Sequence, residues 1–247
     1  MKLYLVGGQV RDHMMGTRPG KDFDFAVEAD SYDEMRAGLI AAGVHIWQER
    51  PQFVTIRGRI PLPDPTSFGN LVQRFSRDNS VDADFTLCRA EAQYSDGRHP
   101  DKVTPSTLIV DLSRRDFTVN AVAVSEDGTM IDPFGGQHDA DRRILKCVGF
   151  ATSRFFEDPL RMLRAIRFAV RYKMILDKDI VECLESSMAA ALLQSLPVER
   201  VREELGKALS HDWLHTITML THTARPISES LARNFPTLWL KATTEDH

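Results

Sequence analysis

The hydrophobic pattern of this chain changes from a strand type to a helix type near residue 150, and this change constrains the fold most strongly. Before it, short runs of apolar and β-branched residues alternate with turn residues, as in Leu3–Val6 and Phe23–Val27. After it, apolar residues recur at helical spacing. The sequence therefore predicts two regions of different class, an α/β region over 1–150 and an all-α region over 151–247.

The same periodicities predict individual elements within the two regions. A helix is predicted over Ser31–Ala42, where Ser31 can cap the first turn and Glu34 stands three residues on. The remaining strands are predicted at Phe53–Arg57, Ala83–Arg89, Met130–Asp132 and Ile144–Val148. The helices of the second region are predicted at Pro159–Tyr172, Lys178–Leu193, Val198–Leu209 and Asp212–Thr223. Loops are predicted at Pro61–Ser80 and Tyr94–Thr107.

Composition and charge exclude several classes of protein. Of the 247 residues, 43% are hydrophobic, which is enough for a core and excludes a disordered chain. The net charge is −4, so the chain is not a basic nucleic-acid coat, although residues 139–173 carry nine Lys or Arg against four Asp or Glu. The three cysteines form no C-x-x-C site, and no stretch approaches the ~20 apolar residues of a membrane span. We therefore expect a soluble, cytoplasmic protein without a membrane partner.

The most informative motif is KDFDFAV, which places two aspartates two residues apart in a predicted strand. Side chains alternate between the faces of a strand, so Asp22 and Asp24 project from one face and Phe23 and Phe25 from the other. Two carboxylates whose Cα atoms lie about 7 Å apart can jointly hold a hard divalent cation. The alternative interpretation is an ordinary amphipathic strand with a solvated acidic face.

A glycine pair precedes this strand, in LVGGQVRDHMMG. Glycines at a strand-to-helix turn let backbone N–H groups approach phosphate oxygens, and Arg11 on the first helical turn can reach the same phosphates. The segment is neither G-x-G-x-x-G nor a Walker A loop, which argues against dinucleotide and P-loop binding. A plain tight turn is the alternative, but a phosphate-binding turn followed by a carboxylate pair favours nucleotide chemistry.

Four motifs in order resemble those of one enzyme family. LVGGQVRD with KDFDF is followed by RRDFTVNA at 114–121, DPFGGQHD at 132–139 and EDPLRMLRAIRFAVRY at 157–172. Together they resemble the class II tRNA nucleotidyltransferases (CCA-adding enzymes) and the bacterial poly(A) polymerases, with a weaker likeness that extends to about Leu209. The resemblance implies a polymerase-β-like nucleotidyltransferase head of α/β (α+β) class, followed by an all-α neck and body.

The resemblance also implies roles for individual side chains. Asp22 and Asp24 would hold two Mg²⁺ ions, and Asp84 in the ADFTLCR segment would supply a third catalytic carboxylate. The residues implied to contact the incoming nucleotide lie in the glycine turn, in RRDFTVNA and in the last helix motif. They are Gly8, Arg11, Arg115, Asp116, Asn120, Asp158, Arg161, Arg164 and Arg167.

Asp158 and Arg161 form the implied base-reading pair, and their chemistry supports that role. Adenine and cytosine present an amino donor beside a ring-nitrogen acceptor, whereas guanine and uracil present a carbonyl beside an N–H. An ionised Asp only accepts and an Arg only donates, so the pair matches A and C and repels G and U. Arg164 and Arg167 follow at steps of three on the same side of the helix, although a solvated helix face is the alternative. The opposite side carries residues that can pack: Met162, Ile166 and Val170.

The implied function is template-independent addition of CMP and AMP, from CTP and ATP, to the 3′ end of a tRNA or another RNA, with release of pyrophosphate. Poly(A), A-only or CC-only addition is the closest alternative. An RNA-binding module without catalysis and a head-only transferase that modifies a protein or a small molecule are alternatives from other classes. No protein partner is implied. The chain departs from the family pattern in having only about 75 residues after the last motif and a longer stretch at 58–82.

Two features of the second region are interpreted as structural rather than functional. His211, His215 and His222 fall on one predicted helical face, but no glutamate follows His211 to complete H-E-x-x-H. A solvated face is therefore favoured over a metal site. Trp213 and Trp239 are interpreted as core residues rather than as base-stacking platforms.

Overall fold

The computed structural model describes residues 1–18, 20, 22–61, 68, 71, 80–92 and 102–234. The chain divides into two compact units, Met1–Arg142 and Arg143–His247, which we call the head unit and the helical unit. The division falls shortly before the boundary predicted at residue 150. Within the described ranges, no helix has both the length and the apolar content needed to cross a membrane.

The head unit is built on a seven-stranded sheet with the order β3-β4-β5-β2-β1-β8-β9. Its strands are β1 (Lys2–Val6), β2 (Phe23–Glu28), β3 (His45–Arg50), β4 (Thr55–Pro61), β5 (Ser80–Leu87), β8 (Ala123–Ser125) and β9 (Met130–Ile131). Neighbouring strands pair antiparallel except β2 and β5, which run parallel. A separate antiparallel ladder joins β6 (Arg89–Ala92) to β7 (Lys102–Pro105). Strand β2, which carries Asp24 and directly follows Asp22, therefore lies inside the sheet between β1 and β5; we call these two aspartates the dyad and β2 the dyad strand.

Four helices accompany this sheet in the described part of the head unit. They are α1 (Gly8–Met14), α2 (Tyr32–Ala41), α3 (Leu108–Ser113) and α4 (Gly136–Asp141). Helix α2 begins as predicted, because the Ser31 hydroxyl accepts a 3.1 Å hydrogen bond from the Glu34 N–H. The Glu34 carboxylate in turn accepts from the Asp30 N–H at 2.6 Å, which completes a reciprocal cap.

The core of the head unit confirms the predicted faces of the dyad strand. Phe23 and Phe25 are buried, whereas Asp24 between them is exposed on the opposite face. The Phe25 ring stacks on Phe85 of β5 at 5.4 Å between centroids and meets Phe68 edge-on at 5.0 Å. Each buried phenyl ring contributes about 2 kcal/mol of hydrophobic stabilisation, so this packing fixes which face of β2 carries the acids.

The helical unit contains a short parallel ladder and a set of helices. The ladder joins β10 (Ile144–Leu145) to β11 (Ile175–Leu176). The helices are α5 (Ala151–Glu157), α6 (Leu160–Tyr172), α7 (Lys178–Leu184), α8 (Ser187–Leu193), α9 (Val198–His211), α10 (Trp213–Thr218) and α11 (Arg225–Asn234), with a π-helical turn at Met219–Thr223. Met162, Ile166 and Val170 of α6 are buried, which confirms the packing side predicted for that helix.

Several predicted boundaries in the helical unit are wrong, for local reasons. The helix predicted over Lys178–Leu193 is two helices, since the Ser186 side chain caps a second one by accepting from the Ala189 N–H. His211 ends α9 and His215 lies in α10, because Asp212 between them is extended at φ −161° and ψ 99°. The continuous helical face on which the histidines were placed therefore does not exist.

The tryptophan interpretation also needs correction. Trp213 is 66% exposed at the first position of α10, so it is not the core residue that the sequence predicted. Its neighbour Leu214 is 60% exposed as well, which shows that apolar character alone misassigned this turn. Trp239 lies outside the described residues.

In the head unit, the predicted and observed elements differ mainly where the sequence lacks alternation of apolar and polar residues. Strand β3 was missed because it is an exposed edge strand, with five of its six residues open to solvent. The strand predicted from Phe53 begins at Thr55, after a 3₁₀ turn over Pro51–Phe53. The loop predicted at Tyr94–Thr107 contains β7, and much of the loop predicted at Pro61–Ser80 lies outside the described residues.

Candidate active site

The predicted acidic residues of the head unit meet where β2 begins. Asp22 immediately precedes the strand, and Asp24 is its second residue. Across the ladders, Asp24 is the register partner of Val6 in β1 and of Asp84 in β5. Residues paired in register on parallel neighbours project from the same face. The structure thus brings the predicted third carboxylate beside the dyad, from a position 60 residues away in the sequence.

The surroundings of Asp24 disfavour its ionised form, chiefly through burial. Desolvation by the surrounding protein is the largest cause that raises its pKa above the ordinary value, although part of the side chain stays open to solvent. The cationic Arg115 opposes this rise, the carboxylates of Asp84 and Asp22 add to it, and Arg57 opposes it more weakly. A site in which carboxylates repel one another is stabilised by a bound cation.

The donor set on this face suits a magnesium ion that also binds a nucleotide. Within the described ranges, no group of three or more His, Cys, Asp or Glu side chains is arranged as a metal site. Asp84 instead forms an ion pair with Arg57 of β4, with 3.0 Å between Asp84 Oδ1 and Arg57 Nε. Mg²⁺ commonly takes one or two protein carboxylates and completes its shell with substrate phosphates and water. Asp22 and Asp24 fit that requirement without a third protein ligand.

The glycine turn lies directly against the dyad. Gly7 has φ +73°, in the left-handed region that favours glycine. A Cβ atom at Gly7 would lie 3.2 Å from Asp24 Oδ2 and 3.9 Å from Arg115 Nη1. Gly8 begins α1, and a Cβ atom there would lie 3.5 Å from Arg11 Nη2. The turn therefore packs so closely against Asp24 that a side chain at Gly7 would crowd the carboxylate, and the two predicted arginines lie close to it.

A buried polar network holds the predicted residues of α1 and of RRDFTVNA together. Arg11 donates to Asp12 Oδ1 from Nε at 2.9 Å and from Nη2 at 2.6 Å. Arg11 Nη1 donates to Asn120 Oδ1 at 3.0 Å, and Asn120 Nδ2 donates to Asp116 Oδ1 at 2.9 Å. All four side chains are buried. Arg11, Asp116 and Asn120 thus form one connected unit, and their contacts with a nucleotide stay a prediction.

Arg115 is oriented by a second, neighbouring set of contacts. Its Nη1 donates to the Asn120 carbonyl at 3.3 Å and its Nη2 to Asp111 Oδ2 at 3.2 Å. Asp111 also accepts from Arg114 Nη2 at 2.7 Å. Although burial opposes it, the guanidinium groups of Arg114 and Arg115 hold the pKa of Asp111 below its ordinary value. The ionised Asp111 therefore fixes Arg115 next to Gly7 and Asp24.

The predicted base-reading pair lies at the start of α6 in the helical unit. Asp158 Oδ1 accepts from the Leu160 N–H at 3.0 Å, which fixes the carboxylate at the first turn. Arg161 Nη1 donates to Glu157 Oε2 at 2.9 Å. The predicted placement of both residues on one helix is wrong, because Asp158 lies outside α6 with extended backbone at φ −145° and ψ 99°, whereas Arg161 is on the first turn. An additional acid, Glu157 at the end of α5, holds the arginine. Their role in base reading stays a prediction.

The other two arginines of α6 that were predicted to contact the nucleotide, Arg164 and Arg167, differ in their surroundings. The Arg164 guanidinium lies 5.4 Å from the Phe168 ring centroid and the Arg167 guanidinium 4.5 Å from it. Arg167 is buried, and its Nε donates to Glu204 Oε2 of α9 at 2.6 Å. The structure therefore gives Arg167 a packing contact between α6 and α9, whereas Arg164 is partly exposed. Nucleotide contacts by either residue stay predictions.

Sequence reasoning missed four side chains that shape the head site. Asp111 could have been found, since it precedes Arg114 and Arg115 by three and four residues, the spacing of helical ion pairs. Asp12 directly follows its partner Arg11 and was overlooked beside it. Gln9 and Arg57 gave no local signal, because Gln9 binds backbone carbonyls and the partner of Arg57 is Asp84 of another strand.

Comparison with known proteins settles the family. Residues 3–146 match the family model described as the Poly A polymerase head domain. The chain belongs to this family. The CCA-adding enzyme of Geobacillus kaustophilus is 35% identical over 208 residues, which cover 84% of this chain and 45% of that relative. The chain spans about a third to a half of the length of the curated relatives it matches.

Solved structures of the family confirm the fold class predicted from the sequence. The Bacillus stearothermophilus CCA-adding enzyme in complex with CTP superposes with a TM-score of 0.69 at 31% identity, over 90% of this chain and 48% of that one. A tRNA nucleotidyltransferase complexed with a primer tRNA and an incoming ATP analog gives a TM-score of 0.69 at 29% identity, over 93% and 59% of the two chains. The chain thus has the α/β nucleotidyltransferase head followed by helices.

Proposed function

We propose that this chain is a template-independent RNA nucleotidyltransferase that adds CMP and AMP, from CTP and ATP, to the 3′ end of tRNA. The observation that carries the proposal is the carboxylate pair at the start of β2, with Asp22 directly before the strand and Asp24 within it, beside the left-handed Gly7 and the register partner Asp84. Similarity to proteins solved with CTP, and with a primer tRNA and an ATP analog, supports these substrates.

The carboxylates of Asp22 and Asp24 would hold magnesium together with the phosphates of the nucleotide. When bound, two Mg²⁺ ions lower the pKa of the primer 3′-hydroxyl and neutralise charge on the attacking and leaving oxygens. Asp84 adds a third negative charge on the same face, and Arg57 keeps its carboxylate in place through the 3.0 Å pair. The head unit therefore supplies the negative charge that would bind the Mg²⁺ ions accompanying a nucleoside triphosphate.

In the reaction, the primer 3′-hydroxyl oxygen forms a bond to the α-phosphorus while the bond from that phosphorus to the bridging oxygen of pyrophosphate breaks. Gly7 and Gly8 carry no side chain beyond Cα, so the backbone N–H groups of this strand-to-helix turn can approach the phosphate oxygens. Arg115, fixed by Asp111 beside Asp24, is placed to bind a phosphate oxygen, since a guanidinium makes two parallel hydrogen bonds to such groups. Arg11 holds Asn120, and Asn120 holds Asp116.

Selection of the base is assigned to α6. The hydrogen bond from Leu160 holds the Asp158 carboxylate at the start of the helix, where it accepts from the amino group of adenine or cytosine. Arg161, held by Glu157, donates to the ring nitrogen. Guanine and uracil place a carbonyl against the acid and an N–H against the arginine, so both contacts become repulsive. We also propose a cytoplasmic location, consistent with three free, buried cysteines.

A nucleotide-incorporation assay tests this function and its closest alternative. The purified chain is incubated with Mg²⁺ and one of three RNAs: a tRNA that ends before CCA, a tRNA that ends in CC, or an unstructured RNA. Each reaction contains one labelled nucleoside triphosphate. Addition of C to the first and of A to the second is the expected result. The family model is described by its poly(A) polymerases, so addition of A alone to all three RNAs would establish poly(A) synthesis instead. Absence of incorporation on every RNA contradicts the proposal.

A further inference from the structure

Gln9 connects the glycine turn to the carboxylate dyad. It is the second residue of α1, directly after Gly8, and its side chain is buried with 2% exposure. The amide nitrogen Nε2 donates to the Gly20 carbonyl at 2.7 Å and to the Asp22 carbonyl at 3.0 Å. Both hydrogens of this amide group are thus used on the backbone segment that leads into β2.

The two aspartates of the dyad are held by different means. Asp24 lies within the ladders, paired in register with both β1 and β5. The β1 ladder ends at Asp24, and the β5 ladder begins at Phe23. Asp22 therefore lies beyond the ladder pairs of the described strands. The hydrogen bond from Gln9 fixes its carbonyl where the sheet does not.

The amide oxygen of Gln9 shows that packing is not the reason for a glutamine at this position. Oε1 is buried and has no hydrogen-bond partner within the part of the chain that the structure describes. A buried polar atom without a partner costs about 1–3 kcal/mol, which an apolar side chain of the same length would avoid. Packing alone therefore does not account for a glutamine here, whereas the two bonds donated by Nε2 do.

We propose that Gln9 is a positioning residue for the carboxylate of Asp22. Its amide fixes the Gly20 and Asp22 carbonyls and thereby sets where the Asp22 side chain stands relative to Asp24 and to the glycine turn. This role rests on the proposed function, since it takes Asp22 and Asp24 as the magnesium ligands. Mutation of a partner that orients a metal ligand typically lowers metal affinity about 10- to 100-fold.

The test measures Mn²⁺ binding to the full chain without nucleotide. Electron paramagnetic resonance detects the free Mn²⁺ ion and so gives the dissociation constant. Gln9→Met replaces the amide by an apolar side chain of similar length and removes both donated bonds. We expect its dissociation constant for Mn²⁺ to rise about ten-fold over wild type. Hydrogen–deuterium exchange gives a second readout: the amides at 22–24 should exchange faster in Gln9→Met, while those of α2 stay unchanged.

Two controls separate positioning from loss of stability and from failure of the dyad. Val10→Ala trims the adjacent buried residue of α1, so it should lower the Tm and leave the Mn²⁺ dissociation constant unchanged. Asp24→Asn should abolish specific Mn²⁺ binding. Equal Mn²⁺ affinity in wild type and Gln9→Met overturns the inference and leaves the proposed function standing. Equal binding by wild type and Asp24→Asn overturns the metal assignment, and the inference with it.

A second variant keeps the test decisive if Gln9→Met does not fold. Gln9→Asn retains the amide but is one methylene shorter, so it cannot span both the Gly20 and the Asp22 carbonyls as Gln9 does. A raised Mn²⁺ dissociation constant is expected for it too. A wild-type constant in a folded Gln9→Asn protein contradicts the positioning role.

Discussion

The polar side chains of the head unit and those of α6 are held in place by different means. In the head unit, Arg11 reaches Asn120, 109 residues further along the chain, and every member of that network is buried. On α6, Arg161 is held by Glu157, the last residue of α5, at four residues' separation, and both side chains keep some exposure. The head network thus depends on the complete fold, whereas the base-reading turn is built locally.

This contrast predicts which substitutions affect activity and which affect stability. A side chain on an exposed face can be changed with little cost to folding, as for Asp24 on the outer face of β2. A side chain in a buried network leaves its partners unsatisfied when it is removed. Within α6 the same division recurs, because Arg167 lies in a buried pair with Glu204 and Arg161 does not.

The largest effect is expected for the dyad. Asp24→Ala removes a proposed magnesium ligand, so incorporation should fall by about 10³-fold or more while the Tm stays at or above the wild-type value. The measurement is the rate of single-nucleotide addition, with circular dichroism as the check on folding. Asp33→Ala is the matched control, since Asp33 is an exposed aspartate of α2 in the same unit. A rate of nucleotide addition by Asp24→Ala close to that of Asp33→Ala would show that the dyad does not take part in catalysis.

The second effect separates two arginines on one helix. Arg167 and Glu204 have side chains only 10% and 7% exposed, so Arg167→Met leaves a buried charge and should cost about 3 kcal/mol or more in unfolding free energy. Arg161→Met breaks a more exposed pair and should cost about 1 kcal/mol or less. Urea unfolding of the two variants checks this order. Equal losses of unfolding free energy in the two variants would show that burial of the pair between Arg167 and Glu204 does not add to stability.

The third effect concerns Asn120 as the link of the head network. Asn120→Ala leaves Arg11 without one acceptor and Asp116 without one donor, both buried. We expect a loss of about 2 kcal/mol in unfolding free energy and a raised KM for the nucleotide. Asn234→Ala is the comparison: it removes one hydrogen bond to Ser230 at the exposed end of α11, so it should cost about 1 kcal/mol or less and leave the KM unchanged. A stable Asn120→Ala protein with wild-type KM is the opposing result.

The smallest effect is a pH dependence of stability at Asp24. Its pKa is raised in the fold, chiefly by desolvation, so its protonated form favours folding and this contribution is lost as the pH rises through the folded pKa. Without metal, Asp24→Asn should therefore have a higher Tm than wild type near neutral pH. The difference should vanish below the ordinary pKa of aspartic acid. Thermal unfolding across this range measures it, and a Tm difference that grows toward acid pH contradicts the sign.

Local patterns in the sequence were sufficient for the features that depend on chain geometry alone. Alternation along β2 predicted that Phe23 and Phe25 are buried and that Asp24 is not. Capping chemistry predicted the start of α2 at Ser31. Asp84, in contrast, was predicted from the resemblance to the family rather than from chain geometry, and the parallel pairing of β2 and β5 places it in register with Asp24.

Contacts between distant residues could not be predicted in the same way. Nothing near Arg167 indicates Glu204, which is 37 residues away, and nothing near Arg11 indicates Asn120. The bonds from Gln9 end on backbone carbonyls, which every residue carries, so they leave no trace in the sequence. Trp213 was misassigned for the opposite reason, since an apolar residue at a helix start is buried only if another element covers it.

The most direct test of the division between chemistry and base selection is the rate of addition of each of the four nucleotides to a tRNA that lacks CCA. Wild type should use C and A and reject U and G. Asp158→Asn keeps an acceptor for the Leu160 N–H but adds a donor, so it should still fold and should accept U or G. An unchanged preference in a folded Asp158→Asn protein would contradict the assignment of base selection to α6.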